Sequence, residues 1–136
     1  MTRAHRWQNR RMAQNTETRT VQNPALLAVG ARPDVLAWRQ QSGVFRAYDD
    51  PQRVVRVGVT GMADAGMIVA MTITPDMVGR TIGVSVQPEF KVGKGAQREA
   101  QANWQRAVEA RGGVYRIVRS ADDMNQLVRD VQTGRF

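Results

Sequence analysis

The chain has 136 residues, no cysteine and one histidine, and it carries a formal net charge of +8 with a pI near 11.3. This length predicts one domain, and the lack of cysteine excludes disulfides and thiolate metal sites, so any metal must be held by oxygen. The charge indicates a polyanionic partner such as nucleic acid. The alternatives are a basic protein that is merely soluble and one that binds anionic membrane, but no strongly amphipathic basic helix supports the membrane. There is neither an apolar run of about eighteen residues nor a signal-peptide pattern, so we expect a cytoplasmic protein.

The first predicted segment, residues 1–20, is polar and basic. It carries five arginines against one acid, Glu17, and Trp7 is its only large aromatic residue. Such a segment cannot bury enough apolar surface to fold alone. We interpret it as a flexible basic arm that follows a DNA backbone, with an inert leader as the alternative.

The remaining chain, residues 21–136, alternates extended and helical patterns. Apolar residues at every second position indicate strands, and apolar residues spaced by three and four indicate helices. In chain order the predicted elements are a helix at 25–30, an extended segment at 35–41, strands at 53–59 and 66–71, one helical turn after Thr74, a strand at 82–88 that leads into 89–91, a helix at 97–111, a strand at 114–119 and a final helix capped by Ser120. This order predicts an α/β domain with a central mixed sheet flanked by helices.

The stretch from Gly61 to Lys91 carries the candidate site. Side chains alternate faces along a strand, so Glu89 and Lys91 are predicted to share one side, with Phe90 turned into the core. Asp64, at the start of a neighbouring strand, can bring a second carboxylate. Pro88 lacks a ladder donor, so we expect a bulge or a break in pairing beside the site.

Glycines bracket Asp64. Gly61 and Gly66 stand on either side of it, which is consistent with backbone that passes close to a ligand or to a neighbouring strand.

Two carboxylates and an amine suit phosphodiester hydrolysis. Asp64 and Glu89 are hard oxygen ligands for Mg²⁺ or Mn²⁺, which lowers the pKa of a bound water. Lys91 can orient that water and counter charge on the phosphate. Only two of the 20 basic residues are lysines, so a lysine here departs from a strong arginine bias. The alternative is an ordinary solvated face, because an acid and a lysine two apart on a strand are common.

Basic and amide side chains surround this stretch in sequence. Gln97, Gln101 and Gln105 recur every four residues on the predicted helix and share one face, for which a surface row of amides is the alternative. The candidates for DNA contacts are Arg39, Arg53, Arg56, Lys94 and Arg98.

Several segments together resemble the VRR-NUC family, a branch of the PD-(D/E)XK nuclease superfamily, and most closely its stand-alone phage and prophage members. They are residues 38–43, the Gly-x-Ala-Asp motif ending at Asp64, residues 72–80, the Glu-Phe-Lys core at 89–91, the loop 93–95, and the helix that carries Gln101 and ends at 112–113. The resemblance covers about residues 20–131.

The resemblance implies a restriction-endonuclease-like core and a metal-dependent DNA endonuclease. It implies Asp64 and Glu89 as metal ligands, Lys91 as the catalytic lysine and Gln101 as its neighbour. It also implies a homodimer that acts on branched DNA such as four-way junctions, in the host cytoplasm if the protein is phage-encoded. The family glutamate of the first helix corresponds to Thr20 here, so either Glu17 replaces it or fewer ligands hold the metal.

Two other functions stay open from the sequence. One is a DNA-binding protein without catalysis, whose nuclease site has decayed. The other is the same chemistry directed at RNA, which the arginine-rich arm equally allows.

Overall fold

The computed structural model describes residues 16–136, and the chain divides into two compact units, Met1–Met67 and Ile68–Phe136. Most of the predicted arm therefore lies outside the described residues. Its last five residues, 16–20, are helical.

The first unit combines a short helical region with short strands. Its elements are the π-helix Thr18–Gln22, helix α1 Asn23–Gly30, and strands β1 Val35–Arg39, β2 Gly43–Arg46, β3 Val54–Val57 and β4 Ala65–Val69, the last of which continues two residues into the second unit. Strand β1 is hydrogen-bonded to β4, and β2 pairs with β3 in antiparallel register from Gly43↔Val57 to Arg46↔Val54. The sequence predicted a turn at residues 42–43 and missed β2, whose four residues are all exposed and so carry no buried alternation.

Gly66 in β4 lies directly against the indole ring of Trp38 in β1. A Cβ atom at this glycine would lie 2.7 Å from Cζ2 of the ring, well inside van der Waals contact. The chain therefore passes close to a neighbouring strand here, which confirms the interpretation of this glycine from the sequence.

The second unit consists of two parallel strands covered by two helices. Its elements are the 3₁₀ turn Pro75–Met77, strand β5 Val86–Phe90, helix α2 Glu99–Glu109, strand β6 Val114–Val118 and helix α3 Ala121–Gln132. The strands pair from Val86↔Val114 to Phe90↔Val118. Val114, Val118 and Leu127 form the buried cluster, on which residues including Val86 and Met124 pack.

The ends of both long helices follow their sequence signals. Gly112, with φ of 78°, leaves α2 in the left-handed conformation, and the N–H of Gly113 donates to the carbonyl of Val108 at 3.0 Å. Ser120 Oγ accepts the N–H of Asp123 at 3.1 Å and caps α3. Both predicted boundaries are thus confirmed, although α2 is shorter than the predicted 97–111.

Pro88 lies within a regular parallel ladder, so the predicted bulge was wrong. The N–H of Val114 donates to the carbonyl of Ser85, and the N–H of Lys91 donates to the carbonyl of Val118. Because these bonds use Ser85 and Lys91, the odd-numbered residues of β5 direct their backbone N–H and C=O groups toward β6. The backbone nitrogen of Pro88 points away from β6. The proline consequently removes no bond from this pair.

The protein is mixed α/β, but residues 16–136 contain three two-stranded sheets in place of the predicted single central sheet. Pro88 gives one physical reason, since it deprives the free edge of β5 of its middle donor. Within the described range, no helix combines the length and apolar character needed to cross a membrane.

Candidate active site

Glu89 and Lys91 lie on the same side at the end of β5. Glu89 Oε1 and Lys91 Nζ are 3.3 Å apart, and the two side chains retain only 25% and 14% of their exposure. The side of β5 that carries them also carries Gln87, whose amide oxygen accepts the indole N–H of Trp104 from α2 at 2.5 Å. The polar side of the strand therefore faces α2, and the shared orientation predicted for Glu89 and Lys91 is confirmed.

Gln101 reaches this pair from the first turn of α2. Its Oε1 accepts the ammonium of Lys91 at 2.9 Å, and its Nε2 donates to Oε1 of Glu89. The same Oε1 also accepts the backbone N–H of Arg98 at 2.9 Å, at the residue that precedes the helix. One amide thus caps α2 and binds both charged groups of the candidate site.

The other two glutamines of the helix are separate from the site. Gln97 Nε2 donates to Oε1 of Gln105 at 2.8 Å, and Gln105 Nε2 donates to Oε1 of Glu109 at 2.8 Å. These amides bond along the helix, so they differ in surroundings from Gln101.

Tyr115 in β6 adds a contact that sequence reasoning missed. Its side chain is 7% exposed, and its hydroxyl donates a long hydrogen bond to Oε2 of Glu89 at 3.4 Å. The parallel register places Tyr115 opposite Gln87. Gln87 is two residues before Glu89 and lies on the same side of β5. A tyrosine among apolar strand residues was the available signal, because a buried hydroxyl needs a partner.

Phe90 is not in the core, so that part of the prediction was wrong. Its side chain is 66% exposed, although it points away from Glu89 and Lys91 as expected. It shares a side of the strand with Val86, which packs against the buried cluster. Phe90 is the last residue of β5, however, and the strand end leaves its ring open to solvent.

Asp64 belongs to the first unit, where it immediately precedes β4. It is exposed, and its backbone carbonyl accepts the N–H of Gln40 at 2.8 Å. Its side chain borders a cavity that Glu17 and Gln22 also line. Thr20, by contrast, donates its hydroxyl to the carbonyl of Thr16 at 2.7 Å and stays exposed.

The predicted DNA contacts are all exposed. Arg53 forms an ion pair with Asp49 at 2.6 Å, and a guanidinium nitrogen of Arg39 donates to Oδ1 of Asn23. The exposed side chains are those of Arg39, Arg53 and Arg56 in the first unit and of Lys94 and Arg98 in the second. Their contact with DNA stays a prediction.

In the described part of the chain, no three His, Cys, Asp or Glu side chains gather closely enough to hold a metal ion. In the second unit, Glu89 is the carboxylate that lies beside Lys91 and Gln101. Mg²⁺ is commonly held by one or two carboxylates, with water and substrate phosphate in its other positions, so an oxygen ligand of this type fits the predicted ion.

Comparison of the chain with protein-family models, with curated proteins and with solved structures finds no match in any of the three.

Proposed function

We propose that the protein is a metal-dependent DNA endonuclease. The observation that carries the proposal is the convergence of Glu89, Lys91 and Gln101 between the end of β5 and the first turn of α2. A partly buried ammonium beside a carboxylate has the charges needed to orient a water molecule and to stabilise a phosphate as negative charge develops on it. The amide holds both groups and limits their movement.

Mg²⁺ or Mn²⁺ is the cofactor that this proposal requires. Glu89 would be one ligand, and Asp64 is the second ligand proposed from its sequence motif. When bound, the ion supplies a Lewis acid and a water of lowered pKa. Lys91 would hold the attacking water or the phosphate oxygen, and Gln101 would keep Lys91 in place.

The proposed substrate is DNA, and branched DNA in particular. The net charge of +8 supports a polyanionic partner, and exposed arginines and Lys94 are available for phosphates. The branched substrate, the homodimer and a cytoplasmic site of action follow from the resemblance to stand-alone VRR-NUC proteins. A two-fold dimer would present two sites to a two-fold junction, so paired nicks are the expected products.

One observation favours a second candidate, a DNA-binding protein without catalysis. Both oxygens of Glu89 already have partners, since Lys91 and Gln101 contact Oε1 and the hydroxyl of Tyr115 contacts Oε2. A carboxylate with this many protein partners can serve as a structural group. The two functions differ in whether bound DNA is cut.

The test is cleavage of end-labelled four-way junction, flap and linear duplex DNA with Mg²⁺, Mn²⁺ or EDTA, with single-stranded RNA as a further substrate. We expect symmetric nicks in the junction that require metal. Binding without any cut would support the non-catalytic DNA-binding protein. Cleavage of RNA alone would show that the substrate is RNA and not DNA.

Three variants of proposed site residues and one control variant test the roles of these residues in the same assay. Lys91→Ala should abolish cleavage and leave DNA affinity within about threefold, because a single phosphate contact has a modest effect on binding. Asp64→Asn and Glu89→Gln, tested separately, should each weaken the response to metal. Arg129→Ala also removes one positive charge, at an exposed position bonded to Gln126, and should cleave normally. Cleavage that persists in Lys91→Ala would overturn the assignment.

A further inference from the structure

A polar cavity of about 580 Å³ lies within the first unit. This volume is within the range of about 300–1,000 Å³ that is usual for small-ligand sites. Its wall contains two carboxylates and three side-chain amides, together with one arginine and one aromatic ring. These residues are Glu17, Gln22, Arg39, Gln40, Gln41, Phe45 and Asp64.

The π-helix forms one wall of this cavity. In a π-helix the N–H of each residue bonds to the carbonyl five residues earlier, so residues four and five apart lie on the same face. Glu17, Thr18 and Gln22 accordingly all border the cavity. Such segments are rare and are often found at functional sites.

The polar side chains of the cavity are available to a ligand. The amides of Gln22, Gln40 and Gln41 and the carboxylates of Glu17 and Asp64 form no hydrogen bond to a side chain or backbone group of residues 16–136. Five such groups around one cavity offer several acceptors and donors within a small volume.

Phe45 supplies an apolar face at the same cavity. Its side chain is 43% exposed and its ring lies beside the backbone of Gly43, where a Cβ atom would be 3.5 Å from Cε2. An exposed ring at the edge of a polar cavity suits stacking of a planar group, as in proteins that bind unpaired bases.

Charge disfavours a phosphate as the main occupant when no metal ion is bound. Glu17 and Asp64 place two acids in the wall, and the guanidinium of Arg39 already donates to Asn23. A nucleobase is neutral and planar. Carboxylates accept hydrogen bonds from exocyclic amino groups, and glutamine amides can pair with the edge of adenine. Thymine has no amino group, and the carbonyl oxygens on both sides of its N3–H would be repelled by the carboxylates.

We propose that this cavity binds one unpaired nucleobase that carries an exocyclic amino group, as cytosine, adenine and guanine do and thymine does not. The inference rests on the proposed nucleic-acid function and makes its substrate class more specific: the protein recognises strands with an unstacked base, as at the branch of a junction or flap. Recognition of such bases by stacking and by their hydrogen-bonding edges is the usual mode for unpaired strands.

The test measures binding without cleavage. Fluorescence anisotropy of the full chain with labelled single-stranded (dC)₈ and (dT)₈, in EDTA at pH 8 and at two salt concentrations, compares pyrimidines of the same size. We expect (dC)₈ to bind about tenfold more tightly than (dT)₈, and we expect the ratio to persist at higher salt because it does not depend on phosphate contacts.

Variants separate stacking from general charge. Phe45→Ala should weaken binding of (dC)₈ by about tenfold, whereas Phe45→Tyr keeps a ring and should retain affinity. Tyr48→Ala removes a fully exposed aromatic residue outside the cavity and should change affinity by less than about twofold. Glu17→Gln should reduce the preference for (dC)₈ over (dT)₈.

Equal affinity for the two oligonucleotides, or equal effects of Phe45→Ala and Tyr48→Ala, would overturn the proposal and leave binding to charge alone. The outcome is independent of the nuclease assay. Base-selective binding with no cleavage would support the nucleobase site and contradict the nuclease proposal. Cleavage with no base preference would support the nuclease proposal and contradict the nucleobase site.

Discussion

The ammonium nitrogen of Lys91 lies 2.9 Å from Oε1 of Gln101, and the same amide oxygen accepts the backbone N–H of Arg98. The start of α2 and the position of the candidate catalytic lysine therefore depend on one side chain. A change at Gln101 should affect both the helix and the site.

Replacing Gln101 with alanine removes the cap and the two contacts to Glu89 and Lys91. Loss of a helix cap costs about 0.5–2 kcal/mol, so we expect a lower melting temperature. We also expect the single-turnover rate on saturating junction DNA to fall by about 10–100-fold, because loss of a positioning group misplaces the reacting groups. Thermal unfolding and quenched-flow cleavage measure the two effects.

Gln105→Ala is the matched control, since this amide bonds to Gln97 and Glu109 and not to the site. It should alter stability slightly and leave the rate unchanged. A loss of rate in Gln105→Ala equal to that in Gln101→Ala would show that the helix surface, and not the contact with Lys91, controls activity.

Gly66→Ala should destabilise the first unit. The added Cβ would lie 2.7 Å from Cζ2 and 2.8 Å from Cε2 of Trp38, so the indole or the strand must move. Overpacking of this kind typically costs about 1–3 kcal/mol. Chemical denaturation followed by tryptophan fluorescence would measure the cost.

Gly30→Ala is the control in the same unit. No atom lies within 4 Å of a Cβ built there, and its φ lies outside the left-handed region. Alanine should therefore be neutral or stabilising by up to about 1 kcal/mol. A destabilised Gly30→Ala together with a stable Gly66→Ala would contradict the close approach to Trp38.

The local pattern of β5 could be read from the sequence because strand alternation depends only on position along the chain. Glu89 and Lys91 share a side for this reason, and the caps at Ser120 and Gly112 followed from local preferences in the same way. These features need no knowledge of distant residues.

The surroundings of β5 could not be read from the sequence. Whether Pro88 breaks a ladder depends on which edge faces β6, and whether Phe90 is buried depends on how far the covering elements extend. Tyr115 reaches Glu89, which lies 26 residues earlier in the chain, only through the parallel register of the two strands. Each is a tertiary property that a one-dimensional pattern leaves open.

Asp130 should make stability depend on pH in acid. The amide of Gln126 and the guanidinium of Arg116 hydrogen-bond its carboxylate and lower its pKa below the usual value. Because the folded pKa is lower than the unfolded one, this contribution is complete above about pH 4 and is lost as pH falls through the folded pKa.

We therefore expect Asp130→Asn to melt below wild type at pH 7 and the difference to shrink as the pH falls below about 4. Thermal scans across that range test this directly. Asp122→Asn removes the same charge from the first turn of α3 and should show a smaller difference at pH 7. A gap between Asp130→Asn and wild type that stays constant with pH would exclude the carboxylate as its cause.

Arg119 should hold the loop that follows Lys91. Its two terminal nitrogens donate to the carbonyls of Gly93 and Gly95, the second at 3.1 Å, and the N–H of Gly95 donates to the carbonyl of Val92 at 3.0 Å. Lysine has a single ammonium group in place of the planar fork of arginine, so it cannot reproduce both contacts. Arg119→Lys should therefore loosen this loop although the charge is kept.

Hydrogen exchange at the amide of Gly95 measures the effect. Bonds to charged groups contribute about 1.5–3 kcal/mol, so Arg119→Lys should speed exchange there by at least about tenfold, while amides in the middle of α3 exchange as in wild type. Arg129→Lys, which changes an exposed arginine on the same helix, should leave Gly95 unaffected. If protection at Gly95 is the same in Arg119→Lys and wild type, the loop is held by its own turn and the guanidinium contributes nothing to the geometry after Lys91.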